Sequence, residues 1–179
     1  MSFGLEINML IYHPVYDINH CLFRFLLILE KSNKNIFQWE LFRVMDFYLL
    51  FPSQIKKINP WPNSLRSYKK IINEIPVEYE VLSNSKRVFF DLQNIQTATV
   101  FNLIAKGLLD AESFEHKREL KRTNVKLPQK LQEKIEDSYL QRRPWFDFVA
   151  NGLAEIELLG NTGIKSRSGL MEFKYDIAR

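Results

Sequence analysis

The chain has 179 residues, of which 46% are hydrophobic and 26% are charged, with a formal net charge of +4. This length suits a domain with a real core, and 13% aromatic residues with six Gly and seven Pro exclude a disordered or low-complexity protein. The single cysteine, Cys21, excludes a framework of internal disulfides and fits a reducing compartment. The N-terminus lacks the pattern of a signal peptide, and the longest apolar stretches are far shorter than the roughly 20 residues that span a bilayer. We therefore expect a cytoplasmic protein without a membrane segment.

Two apolar helices are predicted in the first third of the chain. The first is capped by Asp17 or Asn19 and runs to about residue 31. It is apolar almost all round, so we expect it to be buried. The second covers about residues 38–51, where apolar residues recur at spacings of three and four, and it ends at Pro52.

Each of these helices carries a charge among apolar neighbours, Arg24 in the first and Asp46 in the second. A buried charge is costly unless it is paired. We therefore expect Arg24 and Asp46 to form an ion pair, with a structural role in preference to a functional one.

Shorter elements are predicted from residue 59 onward. Helices are expected over about 63–73, 85–94, 96–106, 128–141 and 144–156. Gly107 suits the left-handed position that ends the 96–106 helix. The tail is predicted as a β-hairpin, with Leu158 and Leu159 before a turn at 160–163 and a strand from Ile164 to Tyr175.

The stretch from Thr97 to Leu131 has the element order of a winged helix-turn-helix. In this interpretation Leu108 and Leu109 begin one wing strand, a basic loop follows, and Val125 with Leu127 forms the returning strand. A plain helix–loop–helix with an extended connector remains the alternative. The 96–106 helix offers no arginine for a guanine contact, which disfavours sequence-specific DNA recognition.

The expected fold class is mainly α with a small β portion (α+β), a winged helix-turn-helix-like single domain with a C-terminal β-hairpin. Its expected parts are an N-terminal helical pair (1–53), helices with the predicted wing (54–131), and C-terminal helices with the hairpin (132–179).

Basic residues concentrate in two places, the predicted wing and a glycine-bounded segment near the C-terminus. A solvated surface is the simpler interpretation, and contact with a DNA backbone or a partner is the functional one. The candidate residues are Lys117, Arg118, Lys121, Arg122, Lys126, Lys165 and Arg167.

Residues with the spacing of a catalytic or metal site are not evident in the sequence. His13, Asp17 and His20 form the one concentration of His and Asp, and capping or packing is the preferred interpretation over metal binding. Cys21 adjoins an apolar helix, which favours an inert buried thiol. Glycine-rich phosphate loops and a nucleophile elbow are missing. We therefore predict no enzyme activity, no catalytic residues, no metal and no cofactor.

Four stretches of the sequence resemble the middle components of bacterial ABC-three-component conflict systems. They are Tyr12–Arg24, Arg43–Pro52, Ala105–Leu109 and Arg167–Asp176, and the string Asp-Phe-Tyr-Leu-Leu-Phe-Pro is the most specific. That family is similar to the small subunit of Lamassu-type antiphage and antiplasmid systems. The resemblance implies a non-catalytic accessory subunit that docks on an SMC-like ABC ATPase and holds or regulates an effector, often a nuclease, with DNA reached through the complex.

Two other functions stay open at this point. A free-standing winged-helix DNA-binding regulator is the main alternative to the accessory subunit. An enzyme that uses His13, Asp17 and His20 is the more distant one.

Overall fold

The computed structural model describes residues 14–77, 82 and 84–171. The α-helices are α1 (Ile18–Lys31), α2 (Trp39–Leu50), α3 (Lys69–Asn73), α4 (Ser85–Asp91), α5 (Gln93–Ala105), α6 (Ala111–Lys117), α7 (Gln129–Glu136) and α8 (Ile164–Ser168). The strands are β1 (Ile36–Gln38) and β2 (Glu119–Lys121). Turns of 3₁₀-helix cover Pro14–Tyr16, Pro52–Lys57, Asn63–Tyr68 and Leu153–Glu155, and a π-helical turn covers Phe148–Gly152. The predicted α+β class, mainly helical, is confirmed.

The start of α1 is determined by Asp17. Its carboxylate accepts hydrogen bonds from the backbone N–H groups of Asn19 and His20, at 2.8 and 2.9 Å. These bonds satisfy two of the N–H groups that a helix leaves free at its N-terminus. The predicted cap is confirmed, and so is the predicted end at Lys31.

The two apolar helices form the centre of the core. α1 packs against α2, α5 and α7. Phe42 of α2 makes edge-to-face contacts with Phe25 of α1 and with Phe37 of β1, at centroid distances of 4.9 and 5.3 Å. Each such pair contributes roughly 0.5–1.5 kcal/mol beyond the burial of its area. The burial predicted for the first helix is observed for most of its residues, and α2 is buried over nearly its whole length as well.

A short antiparallel sheet joins the two halves of the chain. Phe37 of β1 lies opposite Leu120 of β2, and both side chains are buried. Beyond the strand, the backbone N–H of Arg122 donates to the carbonyl of Asn35 at 3.1 Å. No strand was predicted at 36–38, because three residues are too few to show an alternating pattern.

The predicted wing differs from the observed connection after α5. Gly107 adopts a φ of 70° and ends the helix as expected. The expected basic loop is instead largely a helix, α6, and the returning strand is β2, whereas Val125 and Leu127 lie in a loop. The chain therefore returns to the sheet earlier than predicted, because Leu120 packs into the core opposite Phe37, and the winged-helix interpretation is not confirmed.

The predicted C-terminal hairpin is wrong over the described residues. Ile164–Ser168 is the helix α8, and the predicted strand beyond Met171 lies outside the described residues. The N–H groups of Ile164 and Lys165 donate to the carbonyls of Glu157 and Leu158, at 2.8 and 3.2 Å. The carbonyl groups of the preceding segment thus cap the N-terminus of α8, at the place where the sequence pattern had suggested strand pairing.

Two predicted helices are shorter or less regular than expected. α7 ends at Glu136, five residues early, and the Ser138 hydroxyl then accepts a bond from the N–H of Leu140 at 3.3 Å, an interaction that competes with helix. The predicted 144–156 helix contains the π-helical turn, whose Phe148 ring stacks on Trp61 at 5.3 Å. A local side-chain hydrogen bond therefore accompanies the early end of α7, and tertiary packing of Phe148 accompanies the irregular turn.

None of the helices within residues 14–77 and 84–171 has the length and apolar character needed to cross a membrane.

Candidate docking surface

The α6–β2 connection positions part of the predicted basic segment. Asp110 caps α6 by accepting a bond from the N–H of Ser113 at 2.7 Å. After Lys117 the chain turns through Arg118, whose φ of 54° is left-handed, and enters β2. This turn joins a helix end directly to a strand, so Lys117, Arg118 and Lys121 lie along one corner. We call these three residues the basic corner.

The side chains of the basic corner are all exposed. Lys117 and Lys121 both lie near Asp110, whose pKa is held below its usual range, first by the hydrogen bonds with Ser113 and then by the two lysines. The Arg118 guanidinium lies 4.7 Å from the centroid of the Phe114 ring. An exposed guanidinium over a buried aromatic ring, with two exposed lysines beside it, is suited to contact an anionic or aromatic partner surface.

An exposed aromatic residue adjoins the basic corner. Phe101 of α5 contacts the Phe114 ring edge-on at 5.8 Å, and 55% of its surface is exposed. Aromatic and arginine side chains are enriched in the energetically important centres of protein interfaces. Phe101 was not singled out for this role in the sequence, because its position on the apolar pattern of α5 indicated burial.

The other predicted basic residues have different surroundings. Arg122 is half-buried and forms an ion pair with Glu30 of α1. Lys126 is exposed in the loop that follows. Arg122 therefore links β2 to α1, a structural role that a partner-docking residue does not need.

Lys165 and Arg167 both lie on α8. The Arg167 guanidinium donates to the carbonyls of Thr162 and Pro60, and the Arg167 carbonyl accepts from the N–H of Asn59 at 3.0 Å. Arg167 therefore fastens two distant segments together. Lys165 lines a groove beside Leu158 and Leu159.

A buried ion pair connects α1 to α2. Arg24 Nε lies 2.7 Å from Asp46 Oδ1, and Arg24 Nη2 lies 3.3 Å from Oδ2. Asp46 is fully buried and Arg24 is 5% exposed. Burial alone would lower the pKa of Arg24, but the charge and hydrogen bonds of Asp46 raise it, so Arg24 keeps its positive charge inside the core.

The ion pair belongs to a larger polar network that was not predicted from the sequence. Gln96 of α5 donates from Nε2 to Asp46 Oδ2 at 2.9 Å, and its Oε1 accepts from Arg43 Nε at 3.0 Å. Arg43 also donates to Glu40 at 2.8 Å and to the carbonyl of Phe89 at 3.2 Å. Arg43 stands in the apolar run of α2 just as Asp46 does, so its position was a usable indication of a second buried charge.

The residues considered for catalysis have structural surroundings where they are described. Asp17 caps α1, and His20 is exposed beside it, while His13 lies outside the described residues. Cys21 is fully buried, and burial, followed by the charge of Asp46, raises the pKa of its thiol to about 12. Within residues 14–77 and 84–171, no three His, Cys, Asp or Glu side chains are grouped so that they could hold a metal ion.

The comparisons with known proteins identify a family. The family described as ABC-three component (ABC-3C) system Middle Component 5 matches residues 10–176. Since this match spans nearly all of the 179 residues, the chain belongs to that family, and the resemblance to middle components is confirmed. A search of curated proteins and a search of solved structures each found no match.

Proposed function

We propose that this middle component is a non-catalytic accessory subunit of its three-component system, and that its basic corner docks on the SMC-like ABC ATPase of that system. In this role the chain holds or regulates the effector, for which a nuclease is the expected type. Family membership supports the place in a multi-component system. The observation that carries the docking role is the corner itself: Lys117, Arg118 and Lys121 are exposed beside the exposed ring of Phe101.

A free-standing DNA-binding regulator fits the observed α5 less well. The exposed positions of this helix include Ala98, Phe101 and Ala105, while Gln96 and Thr99 are buried. Among the exposed residues of α5, hydrogen-bonding side chains that could read base edges occur only in the first turn, at Gln93 and Asn94, and the exposed positions after them are apolar. Backbone contact through the basic corner alone would be independent of sequence and would weaken with salt, by a log–log slope of about 0.9 per phosphate engaged. We therefore place DNA contact within the complex.

The docking role is tested by reversing two charges that make no described ion pair. In the variant Lys117→Glu/Lys121→Glu, recovery of the ATPase with the tagged chain should fall at least about tenfold, because both cations leave the interface. Its melting temperature should stay within about 2 °C of the unsubstituted chain. Arg122 is left unchanged, since its loss would also break the ion pair with Glu30.

A matched control uses two other exposed lysines, in the variant Lys57→Glu/Lys70→Glu. This pair lies on the Pro52–Lys57 turn and on α3 and changes the net charge equally. It should recover the ATPase normally. Equal recovery with both variants would contradict docking at the basic corner, and a large loss with both would indicate a response to net charge alone.

The non-catalytic part of the proposal is tested on the purified chain. It should hydrolyse neither DNA nor nucleotides, and changing His13, Asp17 and His20 together to Asn should alter stability or assembly only. Nuclease activity that copurifies with the chain and disappears in this triple variant would contradict the accessory role.

A further inference from the structure

A long apolar groove lies on a different part of the surface from the basic corner. Its walls are α1 and the end of α7 with the residues after it, and its floor is the end of α2. The main part has a volume of about 730 Å³ and is lined largely by apolar side chains: Val15, Phe23, Leu49, Leu50, Tyr139 and Leu140. A second part of about 430 Å³ shares the last four of these residues and continues toward Val77 and Trp145.

Apolar side chains in and beside this groove are unusually open to water. The exposed fractions of Tyr139 and Val77 are 65% and 76%, and Phe23 and Leu50 are half-buried. Covering a large apolar side chain is worth about 1.5–3 kcal/mol, and contiguous exposed patches of this kind mark interaction sites. The groove therefore has the chemistry of a binding surface.

The rim of the groove is positively charged. Lys134 is exposed on one wall, and the guanidinium of Arg143 lies 5.5 Å from the Tyr139 ring centroid. Asp137, an acidic residue on the same wall, faces Arg142 at 3.8 Å, so its charge is partly compensated. An occupant with acidic residues on its flanks is thus favoured by charge complementarity.

We propose that this groove binds an amphipathic helix of a partner subunit, with its apolar face on Phe23, Leu50 and Leu140 and acidic residues toward Lys134 and Arg143. This inference rests on the proposed function, and it names a second docking site for that function. One wall is a face of α1, which presents Asn19 and Phe23 one turn apart, and the other combines Lys134 near the end of α7 with the turn residues that follow the helix. An amphipathic helix lies in an apolar groove with anchors at spacings of three, four and seven residues.

A second copy of this chain is a poorer occupant. A twofold dimer through the groove would place the same surface against itself, so the rim with Lys134 and Arg143 would meet the equally positive rim of the other copy. Like charges opposed in this way disfavour association.

The test uses the rate at which a maleimide modifies a thiol introduced by Tyr139→Cys. Cys21 is fully buried and its thiol pKa is raised to about 12, so the native cysteine should not compete. The isolated chain should react rapidly at position 139. In the complex with the other components of the system, the reaction should slow at least about tenfold, because Tyr139 lies at the groove that the helix covers. Leu159→Cys, which is 51% exposed outside this groove, is the matched control and should react equally in both states.

A second pair of variants tests binding directly. Tyr139→Glu/Lys134→Glu should lower recovery of the partner at least about tenfold without a change in melting temperature, whereas Leu159→Glu should have no effect.

Full reactivity of the position-139 thiol in the complex would overturn the proposal. Slow reaction of this thiol in the isolated chain would also overturn it. If the reaction becomes faster on dilution, a second copy of the chain covers the groove; if it stays slow, another segment of the same chain covers it. If the groove variant assembles normally while the unsubstituted chain also assembles, only the groove proposal fails; if the unsubstituted chain never assembles, the proposed function fails.

Discussion

The buried network between α1, α2 and α5 and the basic corner use charge in opposite ways. Asp46 receives hydrogen bonds from Arg24 and Gln96 inside the core, where a charge must have a partner. Lys117 and Lys121 are exposed to water, where a nearby acid such as Asp110 changes their free energy little. Substitutions in the network should therefore change stability, and substitutions at the corner should change partner binding.

The largest effect is expected for Asp46→Ala. Arg24 then remains buried without its carboxylate partner, which should lower the free energy of unfolding by about 3–5 kcal/mol. Urea denaturation followed by circular dichroism measures the change. The double variant Arg24→Met/Asp46→Leu should recover part of the loss, because no buried charge is left uncompensated at that pair. A negligible shift for Asp46→Ala would mean that the buried pair does not stabilise the fold.

A smaller effect is expected for Gln96→Leu. This change removes one hydrogen bond to Asp46 and leaves Arg43 Nε without its acceptor, while Arg43 keeps its bonds to Glu40 and Phe89. The expected loss is about 1–3 kcal/mol by the same denaturation measurement. Thr97→Leu, one position along α5 and half-buried, is the control and should cost less. An equal cost for both would assign the effect to α5 packing and not to the polar network.

The buried thiol of Cys21 should make the free energy of unfolding depend on pH. Its thiol pKa is raised from 9.0 to about 12 by burial and by Asp46, so the folded state holds a proton that the unfolded state releases. The contribution of the thiol to the free energy of unfolding is therefore present in full below pH 9. It is lost as the pH rises toward 12, with a slope of up to about 1.4 kcal/mol per pH unit. Stability curves of the unsubstituted chain and Cys21→Ala should therefore converge above pH 9. Parallel curves would show that the thiol ionises equally in both states.

The smallest effect is expected at the partly exposed ion pair between Arg122 and Glu30. The change Glu30→Gln should cost about 1 kcal/mol or less, and the cost should shrink in high salt. Thermal unfolding at low and high ionic strength measures it. A cost as large as that of Asp46→Ala would place Arg122 with the buried network and would remove the distinction between the two regions.

Elements that depend on local pattern could be predicted from the sequence. Asp17 caps α1, Gly107 ends α5, and the apolar composition of α1 requires its burial. The contact of Arg24 with Asp46 could also be expected, because a charge inside an apolar helix needs a partner and these two were available. Family membership could also be recognised from the sequence, because the motifs that carry the resemblance are short and contiguous.

Contacts between distant segments could not be predicted from local pattern. The pairing of β1 with β2 and the ion pair of Arg122 with Glu30, 92 residues apart, depend on which surfaces the core brings together. The same is true of α8, whose first N–H groups are satisfied by the carbonyls of Glu157 and Leu158 rather than by a neighbouring strand. Local propensity is worth a few tenths of a kcal/mol per residue, so packing and hydrogen bonding across the fold override it wherever they disagree.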